Sequence, residues 1–164
     1  EAKLSERDQR HKKQGQRYVV EPNVKEGKGG LRDLHSLFWI AKFIYKVDNI
    51  ADLVTKEVFR PEEYETFKAA EDFLWAVRGH LHRATNRATE KLSCDMQAQV
   101  ASAMGYQDTR GRRGVEVFMQ TFFRHATAVG EVAQRIVEAY KEATGIDATA
   151  FTTRAAGGAR ELVL

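Results

Sequence analysis

The sequence is short of the residues that interrupt helices and of those that cross-link small proteins. It contains two prolines, 12 glycines and a single cysteine, Cys94, in 164 residues. One cysteine excludes an internal disulfide and any zinc site built from several cysteines, and it is typical of a reducing compartment such as the cytoplasm. The low proline content favours long helices over a fold with many turns. No apolar run reaches the roughly 20 residues of a membrane span, since Lys42 interrupts the longest one.

Positive charge is concentrated at the start of the chain. The net charge is +3, and the first 17 residues, with six basic and three acidic side chains, account for all of it. Such a basic arm suits nucleic acid, phosphates or an acidic protein surface, and the alternative is a frayed, solvated helix end. The arm is charged rather than apolar, unlike a secretory signal. Because the chain begins with Glu1 and not with Met, we expect it to be a piece of a longer protein.

Apolar spacing predicts an all-α fold, a compact bundle of about four to five helices. One short strand over residues 17–21 precedes them, and we expect it to belong to a sheet that lies outside this chain. Pro61 suits the first turn of a helix, and Gly105 and Gly145 suit helix ends. The predicted helical segments are 31–47, a short helix or turn over 50–57, 61–84, 91–104 and 115–143.

This pattern divides the chain into three parts. Residues 1–20 form the basic arm and an edge strand, residues 21–145 the helical domain, and residues 146–164 a tail or linker. Within the helical domain we expect Trp39 and Trp75 to lie in the core and Cys94 to be a small buried thiol. The arginine-rich loop 110–113 is expected to be a solvated turn.

The densest chemical signal lies between the predicted strand and the first long helix. A carboxylate is followed by lysines, paired glycines and a helix start; the carboxylate suits Mg²⁺, and the lysines and free helix N–H groups suit phosphate. In the alternative interpretation, the glycines only permit a tight turn and Asp33 only serves the helix N-terminus. The candidate residues here are Glu21 (catalytic and metal-binding) and Asn23, Lys25, Lys28, Gly29, Gly30 and Arg32 (nucleotide- or phosphate-binding).

A second candidate patch lies on the long helix that starts at Pro61. Arg78 and His82 are four residues apart and therefore share one face. They are interpreted either as a polar patch that contacts nucleotide phosphates or as a network that ties helices together, with Asp95 pairing with Arg78 or Arg87. The residues alone do not decide between the two.

Three stretches carry a resemblance to one family. They are EPNVKEGKGGLRDLHSLFWIAK (21–42), FLWAVRGHLHRATNRATEKLSCDMQAQVASAMGY (73–106) and VEVFMQTFFRHA (115–126). In this order they resemble the helical domain that follows the nucleotidyltransferase core in bifunctional PII uridylyltransferase/uridylyl-removing enzymes, over roughly residues 1–140. The chain departs from the family at Lys28, where proline is usual, at Cys94, and at Glu90-Lys91, where an Asp-Arg pair is common.

The resemblance implies an activity for the whole enzyme. Members use Mg²⁺ and UTP to transfer UMP to a tyrosine of the PII signalling protein, and they also carry metal phosphohydrolase and ACT domains. The sequence contains no Gly-Ser dipeptide, no Asp-x-Asp pair and no His-Asp pair, which are the signatures of those catalytic sites. We therefore expect a cytoplasmic helical domain that is inactive alone and that works with the missing nucleotidyltransferase, phosphohydrolase and ACT domains.

The resemblance also suggests a role for Glu21. In this superfamily a third acidic residue stands on a later strand, and Glu21 ends the predicted strand, so we predict that it is this carboxylate or its neighbour. The alternative is that Glu21 only pairs with Lys25 or Arg32. Two other functions stay open for the domain: a scaffold that docks PII or the flanking domains, and, less favoured by the neutral remainder of the chain, nucleic-acid binding.

Overall fold

The computed structural model describes residues 20–145 of the chain, and this part is a bundle of helices. Within it there is no sheet, only two isolated antiparallel bridges, Asn23 with Lys91 and Thr109 with Arg112. The all-α prediction is therefore confirmed. The helices are α1 (Leu31–Tyr45), α2 (Asp52–Thr55), α3 (Pro61–Thr85), α4 (Cys94–Ala103) and α5 (Gly114–Thr144).

The helix ends follow local chemistry that the sequence partly revealed. Pro61 opens α3 as predicted, and Glu63 accepts the backbone N–H of Arg60 in a capping box. Gly145 ends α5 in the left-handed conformation, at φ 68°. The predicted helix 91–104 begins only at Cys94, because Ser93 has an extended backbone (φ −66°, ψ 159°) and residues 91–92 pair with residues 22–23.

The long helix α5 is the centre of the bundle, and it packs against α1, α3 and α4. Its buried face presents aromatic and β-branched side chains to the other helices, and α1 and α3 contribute mainly leucines. Burial of this shared face supplies the main driving force for folding. Fully or almost fully buried members of the core include Leu34, Leu37, Leu74, Val77, Leu81, Phe118, Phe122 and Val129.

Three predictions of burial are wrong. Trp39 and Trp75, expected in the core, are 62% and 43% exposed, and Cys94 is exposed at the start of α4. The three leucines of α1 and its one alanine fill the core side of that helix, so Trp39 points away from the core. Loop 110–113 is exposed, as predicted.

The predicted strand and the two terminal parts fall largely outside the described residues. Of the strand 17–21, only Val20 and Glu21 are described, and they form a bend. The basic arm, the tail 146–164 and the proposed domain boundaries stay predictions. No helix in the described region is both long and apolar enough to cross a membrane.

The contact between α3 and α5 predicts a measurable acid sensitivity. Hydrogen bonds from Arg60, aided by Arg135 on α5, lower the pKa of Glu63 from 4.5 to about 2. A carboxyl whose pKa is depressed by folding stabilises the fold above its unfolded value, and this stabilisation is lost as the pH falls from about 4.5 to 2. We expect Glu63→Gln to make the unfolding free energy, measured with urea, fall less steeply over this range. The exposed Glu131, changed to Gln, is the control; an identical slope in both variants would contradict the assignment.

Candidate functional site

The segment between Pro22 and α1 is a tight turn held by the loop that precedes α4. The N–H of Val24 donates to the carbonyl of Glu90 at 2.8 Å, and the N–H of Leu92 donates to the carbonyl of Pro22 at 2.8 Å. The side-chain oxygen of Asn23 accepts the N–H groups of Lys25 and Glu26. Asn23 thus shapes the turn, and the glycine segment is fixed against residues 90–92.

The expectation of free N–H groups at the start of α1 is wrong. Leu31 donates its N–H to the carbonyl of Val24, and Arg32 donates to the carbonyl of Lys25. The N–H of Gly29 donates at 2.9 Å to the carboxylate of Asp33, which is 4% exposed. The turn therefore uses these donors itself, and an anion here would be held by side chains.

The paired glycines are required by close packing. Gly29 has a φ of +71°, and a Cβ on it would lie 2.1 Å from the backbone oxygen of Ala126 on α5. A Cβ on Gly30 would lie 2.8 Å from the backbone oxygen of Val24. These close contacts explain why the turn needs glycine at both positions. The predicted phosphate contact of Gly29 and Gly30 stays untested.

Beside the turn lies a cleft between α1 and α3 with a volume of about 300 Å³. We call it the α1–α3 cleft. Three cationic side chains and two indole rings line it, so one wall is suited to anions and another to a flat ring. The charge of Lys25 is one of the causes that lower the pKa of Glu90, after the stronger effects of Arg78 and His82. The lining residues are Lys25, Leu31, Arg32, His35, Ser36, Trp39, Trp75 and Arg78.

Arg78 is held rigidly at the edge of this cleft. Its Nε donates to both carboxylate oxygens of Glu90 at 3.0 Å, and its Nη2 donates to Oε1 at 2.6 Å. Its guanidinium also lies 5.2 Å from the ring centroid of Trp75. Burial alone would raise the pKa of Glu90, but hydrogen bonds and charge from Arg78 outweigh it, so this pKa lies below its usual value. The predicted pairing of Arg78 with Asp95 is therefore wrong, because Glu90 occupies the guanidinium.

His82 lies beside the same ion pair, as its spacing from Arg78 predicted. Its Nε2 is 3.7 Å from Oε1 of Glu90, and this buried nitrogen has no hydrogen-bond partner in the structure. His82 does not line the α1–α3 cleft. Arg78 therefore ties two segments together, as the second interpretation expected, and it also lines the cleft. The predicted phosphate contact of Arg78 and His82 stays untested.

Glu21 bonds to neither of the partners expected from the sequence. Its carboxylate pairs with Lys91 and accepts the N–H of Cys94 at the start of α4. Arg32 pairs instead with Glu26, and the two side chains approach to 2.7 Å. The hydrogen bond from Lys91 lowers the pKa of the partly exposed Glu21, and the hydrogen bond from the N–H of Cys94 lowers it further. Glu21 therefore caps α4, and its predicted metal-binding role stays untested.

The described residues do not by themselves fit Mg²⁺. They contain no group of three or more side chains of the kinds that hold metal ions, and both carboxylate oxygens of Glu21 already have donors. A pair of metal ions needs several carboxylates around it. We therefore derive no step through a metal for this part of the chain.

The structure gathers only some of the predicted site residues. Lys25, Arg32 and Arg78 line the cleft together, whereas Lys28 is exposed and outside it. Sequence reasoning missed the contributions of His35, of the two tryptophans and of Glu90. The i, i+4 spacing of His35 and Trp39 was the available signal for a shared helix face.

Comparison with known proteins shows which family matches this chain and which relatives are similar to it. Residues 1–137 match the family described as GlnD PII-uridylyltransferase. A bifunctional uridylyltransferase/uridylyl-removing enzyme of Ruegeria pomeroyi is 67% identical over 134 residues, which are 82% of this chain and 15% of that protein. The enzymes of the same name from Cereibacter sphaeroides and Novosphingobium aromaticivorans are 63% and 54% identical, over 82% and 79% of this chain and 14% of each relative. No solved structure matches.

Proposed function

Because the chain belongs to the GlnD PII-uridylyltransferase family, we propose that it is the helical domain that completes the nucleotide site of a uridylyltransferase. The chain spans about 15% of the length of the Ruegeria pomeroyi relative. In the whole enzyme, UMP would pass from UTP to a tyrosine of PII with release of pyrophosphate, and this domain would supply groups that bind the nucleotide. On this proposal the isolated chain is inactive.

The α1–α3 cleft is the observation that carries this proposal. Lys25 and Arg32 lie where the glycine turn meets α1, and Arg78 approaches from α3. Three cations in one cleft can neutralise part of a triphosphate, and arginine offers paired donors that suit phosphate oxygens. Glu26 and Glu90 hold the two arginines in place, so these side chains lose little conformational freedom on binding.

Mg²⁺ bound with UTP stays a prediction for the whole enzyme. It would offset phosphate charge and polarise the α-phosphate of UTP, at which the transfer takes place. The chain's own contribution in this proposal is to bind and orient the phosphates through Lys25 and Arg32.

A docking function is favoured by a different observation. Trp39 and Phe43 stand four residues apart on α1 and are 62% and 65% exposed. Large exposed aromatic side chains that lie together mark interaction surfaces. On this second proposal the domain holds PII or a flanking domain and contributes nothing to nucleotide binding.

A chimeric enzyme separates the two functions. In this chimera, residues 1–137 replace the matching segment of the Ruegeria pomeroyi relative. We expect Lys25→Ala to raise the KM for UTP about tenfold, since a hydrogen bond to a charged group contributes about 1.5–3 kcal/mol. The measurement is the rate of UMP transfer to PII as a function of UTP concentration.

The matched control is Lys68→Ala. Lys68 pairs with Glu71 and Asp72 on α3 and does not line the cleft, so its loss should change the KM less than twofold. An unchanged KM for UTP in the Lys25 variant would refute nucleotide binding by the cleft and favour the docking function.

A further inference from the structure

We propose that the α1–α3 cleft also holds the base of the uridine nucleotide, stacked on the indole rings of Trp39 and Trp75. This inference rests on the proposed function, which assigns only the phosphates to the cleft. The chain has two tryptophans, and both of them line this one cavity. They are partly exposed beside three cations, although tryptophan commonly buries most of its surface.

The neighbours of Trp75 hold its ring in place. Its centroid lies 6.1 Å from that of His35 on α1 and 5.2 Å from the guanidinium of Arg78. Glu90 fixes Arg78 through a fork of hydrogen bonds. A ring that neighbouring side chains already support on this side loses less entropy when a base stacks on it, and this favours a binding role.

The residues that line the cleft favour a nucleotide as its ligand. A nucleotide combines a flat ring with several negative charges, and the cleft combines indole rings with Lys25 and Arg32. Base stacking on an aromatic side chain contributes to binding without reading the base edge. An apolar protein segment would instead leave the ammonium group of Lys25 without an acceptor, so the mixed lining favours a nucleotide.

In this proposal the uridine base reaches the cleft as part of UTP. The relatives are named for both transfer and removal of the uridylyl group, and the proposed function assigns the cleft to transfer. The assay therefore measures the KM for UTP in transfer. The rate of UMP removal from uridylylated PII serves as an internal control that the cleft variants should leave unchanged.

Tryptophan variants of the chimera test this inference. We expect Trp75→Ala and Trp39→Ala each to raise the KM for UTP about tenfold, while Trp75→Phe stays within about threefold. Inhibition by inorganic tripolyphosphate, which has no base, should change less than twofold. Trp39 is mostly exposed, so its alanine variant should fold normally. The inference can therefore be tested even if Trp75→Ala fails to fold.

Phe123→Ala is the matched control, because Phe123 is 43% exposed like Trp75 but does not line the cleft. An unchanged KM for UTP, or an equal rise in the inhibition constant of tripolyphosphate, would overturn base stacking. The phosphate proposal fails separately, if Lys25→Ala alters neither tripolyphosphate inhibition nor the KM for UTP.

Discussion

Replacing Gly29 with alanine is expected to destabilise the fold by about 4 kcal/mol. The position has a φ of +71°, and the new Cβ would lie 2.1 Å from the carbonyl oxygen of Ala126. The left-handed conformation costs a residue with a side chain about 1–3 kcal/mol, and the clash with backbone adds a cost of about the same size. The measurement is the free energy of urea unfolding, followed by circular dichroism.

Gly130→Ala is the matched control in the same helix that Gly29 contacts. Gly130 lies within α5, and a Cβ on it would meet nothing within 4 Å. Alanine should be neutral or stabilise α5 by up to about 1 kcal/mol, because glycine weakens helix interiors. If both variants unfolded at the same urea concentration, close packing of the glycine turn on α5 would be refuted.

Replacing Arg78 with alanine is expected to have the second largest effect. The change leaves the half-buried Glu90 without the fork of hydrogen bonds that holds it, and this should cost about 2 kcal/mol of stability. In the chimeric enzyme, kcat/KM for UTP should fall about thirtyfold, since the cleft loses a cation next to Trp75. Urea unfolding and transfer kinetics measure the two effects separately.

Two further variants serve as the control for the stability effect and as the test of guanidinium geometry against charge. Arg83→Ala removes an exposed arginine from the same helix and should change the stability by less than about 0.5 kcal/mol. Arg78→Lys keeps the charge but loses the two-pronged geometry, so it should restore only part of the activity. Full activity of the alanine variant would show that Arg78 is structural only.

The helices were predictable because their signals are local. The apolar spacing of α1, α3 and α5, together with Pro61 and Gly145, fixed their ends to within two residues. The start of α4 was predicted less well, because the residues before it pair with a distant segment: the N–H of Leu92 donates to the carbonyl of Pro22. Spacing along one segment contains no information about such a bond.

The candidate site was predictable only in part, for a similar reason. Lys25 and Arg32 belong to a recognisable segment, and the structure places them in one cleft with Arg78. The pairing of Arg78 with Glu90 spans 12 residues and follows from the fold of a polar loop. Tryptophan is usually buried, and this general tendency led to the wrong prediction that Trp39 and Trp75 lie in the core.

The location of the nucleotide tests the account most directly. A structure of the chimeric enzyme with a non-hydrolysable UTP analogue should place phosphate oxygens within hydrogen-bond distance of Lys25 and Arg32. The base should then lie against Trp75. A nucleotide bound away from the α1–α3 cleft, with that cleft covered by another domain or by PII, would contradict the account.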